Sequence, residues 1–388
     1  MNRNLRFIIS GGGTGGHIFP ALSIADAIRR TEPEADILFV GAEGKMEMER
    51  VPAAGYRIIG LPVAGLQRSL SASNLALPAK VLRSLRKAGE IIRSFKPDVV
   101  VGVGGYASAP MLWKAASKGI PTLIQEQNSY AGLTNKILSR RARRICTAYP
   151  GMERFFPAQK IILTGNPIRD NMRPSTPEER AEGQRFFNLD PALPTVLMVG
   201  GSGGCGTFNS VMKVACHSGG GAFPYQIIWQ SGKGYSSQVQ EMFSRLGGVS
   251  RNANGVRIWG NIRNCDFITR MDLAFAAADI VVSRAGAGTI SELCAIGKAT
   301  IFVPSPNVAE DHQTHNAMSL VDVDAAAMVC DSRASTDLFP AIEELLKDRE
   351  RRSVLEDNIL KMARPHAAED IAREVLKLID ESKHEDIQ

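Results

Sequence analysis

The chain has 388 residues, 44% hydrophobic and 22% charged, a composition ordinary for a soluble globular protein and long enough for two domains. Its 46 Lys and Arg against 40 Asp and Glu give a formal net charge of +6, which favours phosphates or an anionic membrane surface as partners. Nucleic acid is not expected, because aromatics make up only 6% of the chain and no basic patch is interleaved with them.

In chain order, "LRFIIS" reads as a buried strand, "GGGTGG" as a glycine-rich loop, and "FPALSIADAIRRT" as a helix with Leu22, Ala25 and Ile28 on one face. "ADILFVG", "PDVVVGVGG", "PTLIQEQ", "RRICTAYP" and "KIILTGNP" continue as strands, with a helix in "APMLWKAASKG". Such alternation implies a parallel sheet covered by helices on both faces. Residues 170–195 are polar and proline-rich, the mark of a domain entry. "TVLMVGGSGG" then repeats the opening theme, followed by strands "QIIWQSG", "VRIWG", "ADIVVS" and "ATIFVP" and a helical tail. The expected fold is α/β, with two Rossmann-like domains whose parallel sheets face across a cleft and C-terminal helices that pack back on the first domain.

Six scattered cysteines form no C-x-x-C pair, so neither a zinc site nor a disulfide framework is expected. The N-terminus has only a three-residue apolar run and does not read as a signal peptide. No run approaches the ~18 apolar residues of a membrane span, so membrane contact would be peripheral.

Gly11, Gly13 and Gly16 satisfy the G-x-G-x-x-G spacing, but the following strand ends in Gly41 rather than in the acidic residue that would hold a ribose. The loop suits any phosphate through backbone N–H groups at a helix start, and is equally a tight turn without a ligand. His17 reads either as polar surface or as a general base. "GVGGYASAP" and "QEQNSYAGLTN" offer Tyr106, Ser108, Glu126, Asn128 and Asn135 to a sugar or peptide, or are ordinary turns. In "SRAGAGTISELCAIG", amides of residues 287–291 would face an anion, with Thr289 and Glu292 as a capping box or Glu292 as a ribose ligand. "EDHQTHNA" crowds Glu310, Asp311, His312 and His315, yet no metal is expected there, and "DVD" (322–324) is set aside as a chance match. Residues 66–96 mix leucines with Arg68, Lys80, Arg83, Arg86 and Lys87, an apolar patch with a basic rim that suits a bilayer or packs on its own sheet. "RRARR" (140–144) reads as a solvated helix end.

Taken in order, "GGGTGGHIFPALSIA", "GGYASAP", "QEQN…AGLTNK", "GNPIR", "GGSGG", "SRAGAGTISEL" and "EDHQTHNA" resemble the MurG family, the bacterial peptidoglycan UDP-N-acetylglucosamine:lipid I N-acetylglucosaminyltransferases, over residues 5 to 375. The resemblance implies a GT-B fold with an acceptor and membrane-associating domain at 1–168, a UDP-GlcNAc domain at 169–354, and helices crossing back from 355 to 388. It implies inverting transfer of N-acetylglucosamine to the muramyl 4-hydroxyl of lipid I, giving lipid II for peptidoglycan synthesis, cell shape and division. The place is the cytoplasmic face of the inner membrane, peripherally bound, beside other cell-wall synthesis proteins. No cofactor and no metal is implied.

The donor contacts it implies are Thr14, Gly15, Gly16, Asn128, Arg169, Ser202, Ile268, Ala287, Gly288, Thr289, Ile290, Ser291, Glu292, Gln313 and Asn316. Gly12, Gly13 and Thr14 would hold the acceptor pyrophosphate, and His17, Tyr106 and Asn128 are the catalytic candidates, with His17 as base. Gly203 stands where the family has glutamine, and Gly206 lies in an atypical "CGT", which implies a lost side-chain contact to the donor. The competing readings are a related glycolipid synthase, a UDP-GlcNAc 2-epimerase, and a non-catalytic nucleotide-sugar binder.

Overall fold

A computed structural model describes residues 4–63, 77–169, 172–201, 203–219 and 222–385. The chain divides into two compact units, Met1–Arg169 with Arg364–Gln388, and Asp170–Ala363.

The first unit runs β1 (Arg6–Ser10), α1 (Gly15–Thr31), β2 (Asp36–Ala42), α2 (Glu47–Ala53), β3 (Arg57–Leu61), α3 (Leu77–Phe95), β4 (Val99–Gly102), α4 (Ser108–Ala116), β5 (Thr122–Glu126), α5 (Leu133–Ser139), β6 (Arg144–Thr147) and β7 (Ile161–Leu163). Its strands form one parallel sheet in the order β3-β2-β1-β4-β5-β6-β7. Strand side chains alternate between faces, so the apolar runs divide into two cores. Phe7, Ile9, Val99 and Val101 pack with Ile18, Ile24 and Ile28 of α1, whereas Ile8, Val40, Val100 and Ile124 pack with Ile91 of α3 and Met111 of α4.

The chain returns to this unit at its end. Helix α14 (Ala367–Glu385) lays Ile371, Ala372, Val375 and Leu378 into the α1 core. Ion pairs Arg30–Glu369 (2.6 Å) and Arg144–Glu381 (2.5 Å) border that contact. Arg144 therefore opens β6 and meets acidic partners on α14, instead of ending a solvated helix as the "RRARR" run suggests.

The second unit runs α6 (Pro177–Phe187), β8 (Thr195–Val199), α7 (Gly206–Gly219), β9 (Gln226–Gln230), α8 (Ser236–Leu246), β10 (Ser250–Arg251), β11 (Arg257–Trp259), β12 (Ile262–Cys265), α9 (Met271–Ala277), β13 (Ile280–Ser283), α10 (Ala287–Ile296), β14 (Thr300–Phe302), α11 (His312–Val321), β15 (Ala327–Met328), α12 (Ala334–Lys347) and α13 (Arg349–Lys361). The sheet order is β10-β11-β12-β9-β8-β13-β14-β15, parallel except for the antiparallel pairs β10–β11 and β11–β12 at one edge. Helix α13 stays with this unit, because Leu355 is buried in its core and Leu360 packs against Gly297. The return to the first unit begins at Arg364, later than the expected 355.

Candidate active site

Strand order in the first unit reverses between β1 and β4. At such a switch point the loops leave in opposite directions and open a crevice beyond the carboxyl ends of the strands. The β1–α1 and β4–α4 loops touch there: a Cβ on Gly105 would lie 2.3 Å from the Gly12 carbonyl oxygen, and one on Gly104 would lie 2.9 Å from His17 Nε2. Both residues also have positive φ, 91° and 82° for Gly104 and Gly105, so the approach depends on glycine twice over.

His17 sits in the first turn of α1, with Nδ1 3.2 Å from the Gly12 carbonyl oxygen and 3.1 Å from Thr14 Oγ1. Thr14 is the N-cap of α1, yet its hydroxyl makes no capping bond. A carbonyl can only accept, so the neutral imidazole in this geometry carries its proton on Nδ1 and its lone pair on Nε2. Tyr106 lies on the same β4–α4 loop with its ring 54% exposed.

Asn128 follows β5 and is held by a buried carboxylate. Glu126 accepts from Asn128 N (3.0 Å) and Nδ2 (3.3 Å), Gly132 N (3.1 Å) and Asn135 Nδ2 (2.8 Å). Glu126, Asn135 and Ser108 are buried, so they brace the loops rather than offer themselves to a sugar.

The first glycine loop differs from the expected anion cradle. The Gly13 amide donates to both oxygens of Glu47, at 3.1 and 3.0 Å, and Gly12 is buried against the same carboxylate. Of the expected trio Gly12, Gly13 and Thr14, the Gly13 amide already serves a carboxylate. Thr14 and the first-turn amides of Gly15 and Gly16 are the groups placed to meet an anion.

In the second unit the order reverses between β8 and β13, and the two glycine loops follow these strands. A Cβ on Gly204 would lie 2.1 Å from the Ser231 carbonyl oxygen, so the β8–α7 loop closes tightly on the β9 end. Gln230 donates from Nε2 to the Gly201 carbonyl at 2.6 Å and accepts from the Ile268 amide at 3.5 Å, which links Ile268, itself buried, to that loop. Ser202 lies outside the described residues.

Helix α10 begins at Ala287 with Gly286 as N-cap. Thr289 is thus its third residue, and no Thr289–Glu292 capping box forms. The Ile290 amide already donates to the Gly286 carbonyl at 2.9 Å. The amides left to face an anion are those of Ala287, Gly288 and Thr289, while Ile290 and Ser291 belong to the helix interior. Glu292 is half-buried on the next turn.

Arg284 braces the loop. It donates to Asp331 Oδ1 (2.6 Å), the carbonyls of Val303 (2.8 Å) and Pro304 (3.1 Å), and Thr207 Oγ1 (3.1 Å). Asn316 is buried and donates to the Ala285 carbonyl at 3.4 Å, and Gln313 accepts from the Ser305 amide at 2.8 Å. Arg169 is exposed and closes the first unit. His312 and His315 lie on α11, and among the described residues no three His, Cys, Asp or Glu come together as a metal site.

A cavity of about 100 Å³ lies elsewhere in the second unit, lined by Arg173, Glu179, Arg270 and Asp272 among others. Both its arginines are paired, Arg173 with Glu179 at 2.8 Å and Arg270 with Asp272 at 2.7 Å, and no glycine loop lines it.

Each glycine loop and its switch point fall within a matched family domain. The N-terminal domain of glycosyltransferase family 28 fits residues 7–147, and its C-terminal domain fits residues 195–374. The chain belongs to glycosyltransferase family 28. A relative from Bacteroides fragilis, named as the UDP-N-acetylglucosamine–N-acetylmuramyl-(pentapeptide) pyrophosphoryl-undecaprenol N-acetylglucosamine transferase, is 53% identical over 378 residues, 97% of each chain. The crystal structure of Acinetobacter baumannii MurG superposes with a TM-score of 0.76 at 27% identity, covering 96% of this chain and 99% of that one. A UDP-GlcNAc 2-epimerase from Neisseria meningitidis shares the fold alone, with a TM-score of 0.63 at 12% identity over 97% of this chain and all of that one. The two Rossmann-like units are those of a GT-B glycosyltransferase. Among the described residues of this family member, no helix is long and apolar enough to cross a membrane.

Proposed function

We propose that the chain transfers N-acetylglucosamine from UDP-GlcNAc to the muramyl 4-hydroxyl of lipid I, making lipid II. The 53% identity to the named transferase across 97% of both chains carries this reading. The roles assigned below rest on that reading and accord with the site's geometry.

The second unit binds the donor. First-turn amides of α10 at Ala287, Gly288 and Thr289 meet the diphosphate, with the helix dipole behind them, and Glu292 takes the ribose hydroxyls. The segment at Ile268 receives the uracil. In the first unit, His17 Nε2 accepts the proton of the acceptor hydroxyl as its oxygen attacks the anomeric carbon. That C–O bond forms as the bond to the UDP oxygen breaks, in one in-line step that inverts configuration. UDP leaves with the negative charge that the α10 amides stabilise. Tyr106 and Asn128 orient the acceptor.

The site acts at the cytoplasmic face of the inner membrane. Val81 and Leu82 are exposed on α3 beside Lys80, Arg83 and Arg86, the arrangement that docks on anionic lipid. The rest of the apolar patch, residues 66–76, lies outside the described residues.

The test incubates the protein with labelled UDP-GlcNAc and a lipid I analogue. Acceptor-dependent formation of the labelled disaccharide is expected. Hydrolysis or epimerisation of the donor without transfer would overturn the reading.

A further inference from the structure

The buried Glu47 has no part in the chemistry above, yet it is anchored to the loop that carries it. Its side chain, at the start of α2, is 1% exposed. The carboxylate accepts from two backbone amides: Gly13 N lies 3.1 and 3.0 Å from its two oxygens, and Ala42 N reaches Oε1 at 2.9 Å. Gly12 leaves room for the same carboxylate, since a Cβ there would fall 2.1 Å from Glu47 Oε1.

Gly12 and Gly13 both have positive φ, 145° and 89°. Two such glycines in succession have wide conformational freedom and do not hold a turn by themselves. The bond from Ala42 lies within the β2–α2 turn. The bonds from Gly13 reach 34 residues back along the chain to the catalytic loop.

We infer that Glu47 is a positioning residue for the base: by gripping the Gly12–Gly13 turn it fixes the Gly12 carbonyl that receives the His17 Nδ1 proton, and so keeps the lone pair on Nε2. Gly105 stands beside the Gly12 carbonyl, where a Cβ would lie 2.3 Å from its oxygen. Glu47 thus acts through one peptide group on one ring nitrogen. The inference rests on the reading of His17 as the base, and its test has a readout that does not pass through activity.

That readout is the ¹⁵N spectrum of histidine-labelled full-length protein, with the His17 signals assigned by their loss in His17→Ala. In the neutral ring of the wild type, Nδ1 is expected to be the protonated nitrogen, and Glu47→Gln is expected to move the population toward Nε2–H. An Nε2-protonated His17 in the wild type, or an unchanged tautomer in Glu47→Gln, overturns the inference. Kinetics give the second arm. Glu47→Gln is expected to lower kcat about tenfold or more with donor KM within about twofold, and to change kcat less than about twofold in a His17→Ala background. An equal loss with and without His17 overturns the coupling. Should Glu47→Gln fail to fold, the wild-type tautomer and the Glu47→Asp spectrum decide the matter. Full activity in His17→Ala would overturn the base assignment alone, and the spectra would still report the hold on the ring.

Discussion

Arg284 and Asp331 meet at 2.6 Å with their side chains 15% and 22% exposed, and the same guanidinium reaches Val303, Pro304 and Thr207. A planar fork with several donors serves all four at once, which an ammonium cannot. Arg284 therefore ties the β13–α10 loop to the end of β14, to α7 and to the segment before α12. Arg284→Lys is expected to raise the KM for UDP-GlcNAc about tenfold. Arg284→Ala leaves Asp331 without its main partner and is expected to cost about 3 kcal/mol in urea unfolding. A wild-type KM in Arg284→Lys would show that the loop holds its shape without the fork.

If His17 is the base proposed above, His17→Ala is expected to lower kcat about a hundredfold or more while leaving donor KM nearly unchanged, because a general base acts in the transition state alone. Gly104→Ala probes the same atom from outside. Its Cβ would stand 2.9 Å from Nε2 on a backbone with φ of 91°, so most activity is expected to disappear while UDP-GlcNAc still binds by calorimetry. Loss of donor binding in either variant would place the residue in the donor site instead.

Glu126→Ala would strip four hydrogen bonds from Asn128, Gly132 and Asn135 at once. Unmet buried donors cost about 1–3 kcal/mol each, so a loss of about 3 kcal/mol or more is expected, read as a lowered urea midpoint. Glu126→Gln keeps the shape and is expected to retain more stability than activity, since Asn128 loses one acceptor.

Asp266 carries the pH prediction. Burial pushes its carboxyl up, but Arg257, at 2.7 and 3.0 Å, and the Ser236 hydroxyl at 2.6 Å outweigh this and hold it below its ordinary value. A carboxyl held low in the folded state stabilises above its unfolded value of 3.8, and the gain is lost as pH falls through the lower folded value. Asp266→Asn is therefore expected to be less stable than wild type at pH 7. Its stability should fall less between about pH 4 and pH 2. Parallel curves for the two proteins would contradict this.

Leu82→Asp removes an exposed leucine from the basic rim of α3 and is expected to weaken sedimentation with anionic vesicles about tenfold, from the lost apolar burial alone. Transfer to a water-soluble acceptor analogue should stay unchanged. Equal binding by the variant would remove α3 from the membrane surface.

Much of this was legible before any coordinates. Strands such as "RFIIS" and "IVVS" are apolar on both faces and sit behind glycine loops, so sequence gives their place directly. Strand β12 is hidden because "IRNC" looks like a loop. Arg263 and Asn264 are nonetheless buried there, satisfied by the Asn188 carbonyl at 2.9 Å and the Trp229 carbonyl at 3.1 Å. Glu47 escaped notice for a related reason: a carboxylate 34 residues from the glycines it serves leaves no local pattern. The capping-box spacing of Thr289 and Glu292 is correct but lies inside the helix, which starts earlier, at Ala287 with Gly286 as N-cap. Arg284 did carry a signal, as the single charge in a run of small residues after an apolar strand.

The last helix has a bearing on synthesis at the ribosome. Ile371, Val375 and Leu378 fill a core whose other wall is Phe7, Ile9 and Ile24, so the interior of this unit is complete only after residues about 200 positions beyond its last strand have been made. Residues 170–363 form an unbroken stretch and meet no such delay. In the order of synthesis the unit at 170–363 can mature while the unit around β1 and α1 still waits for α14, its apolar α1 face uncovered and open to chaperones.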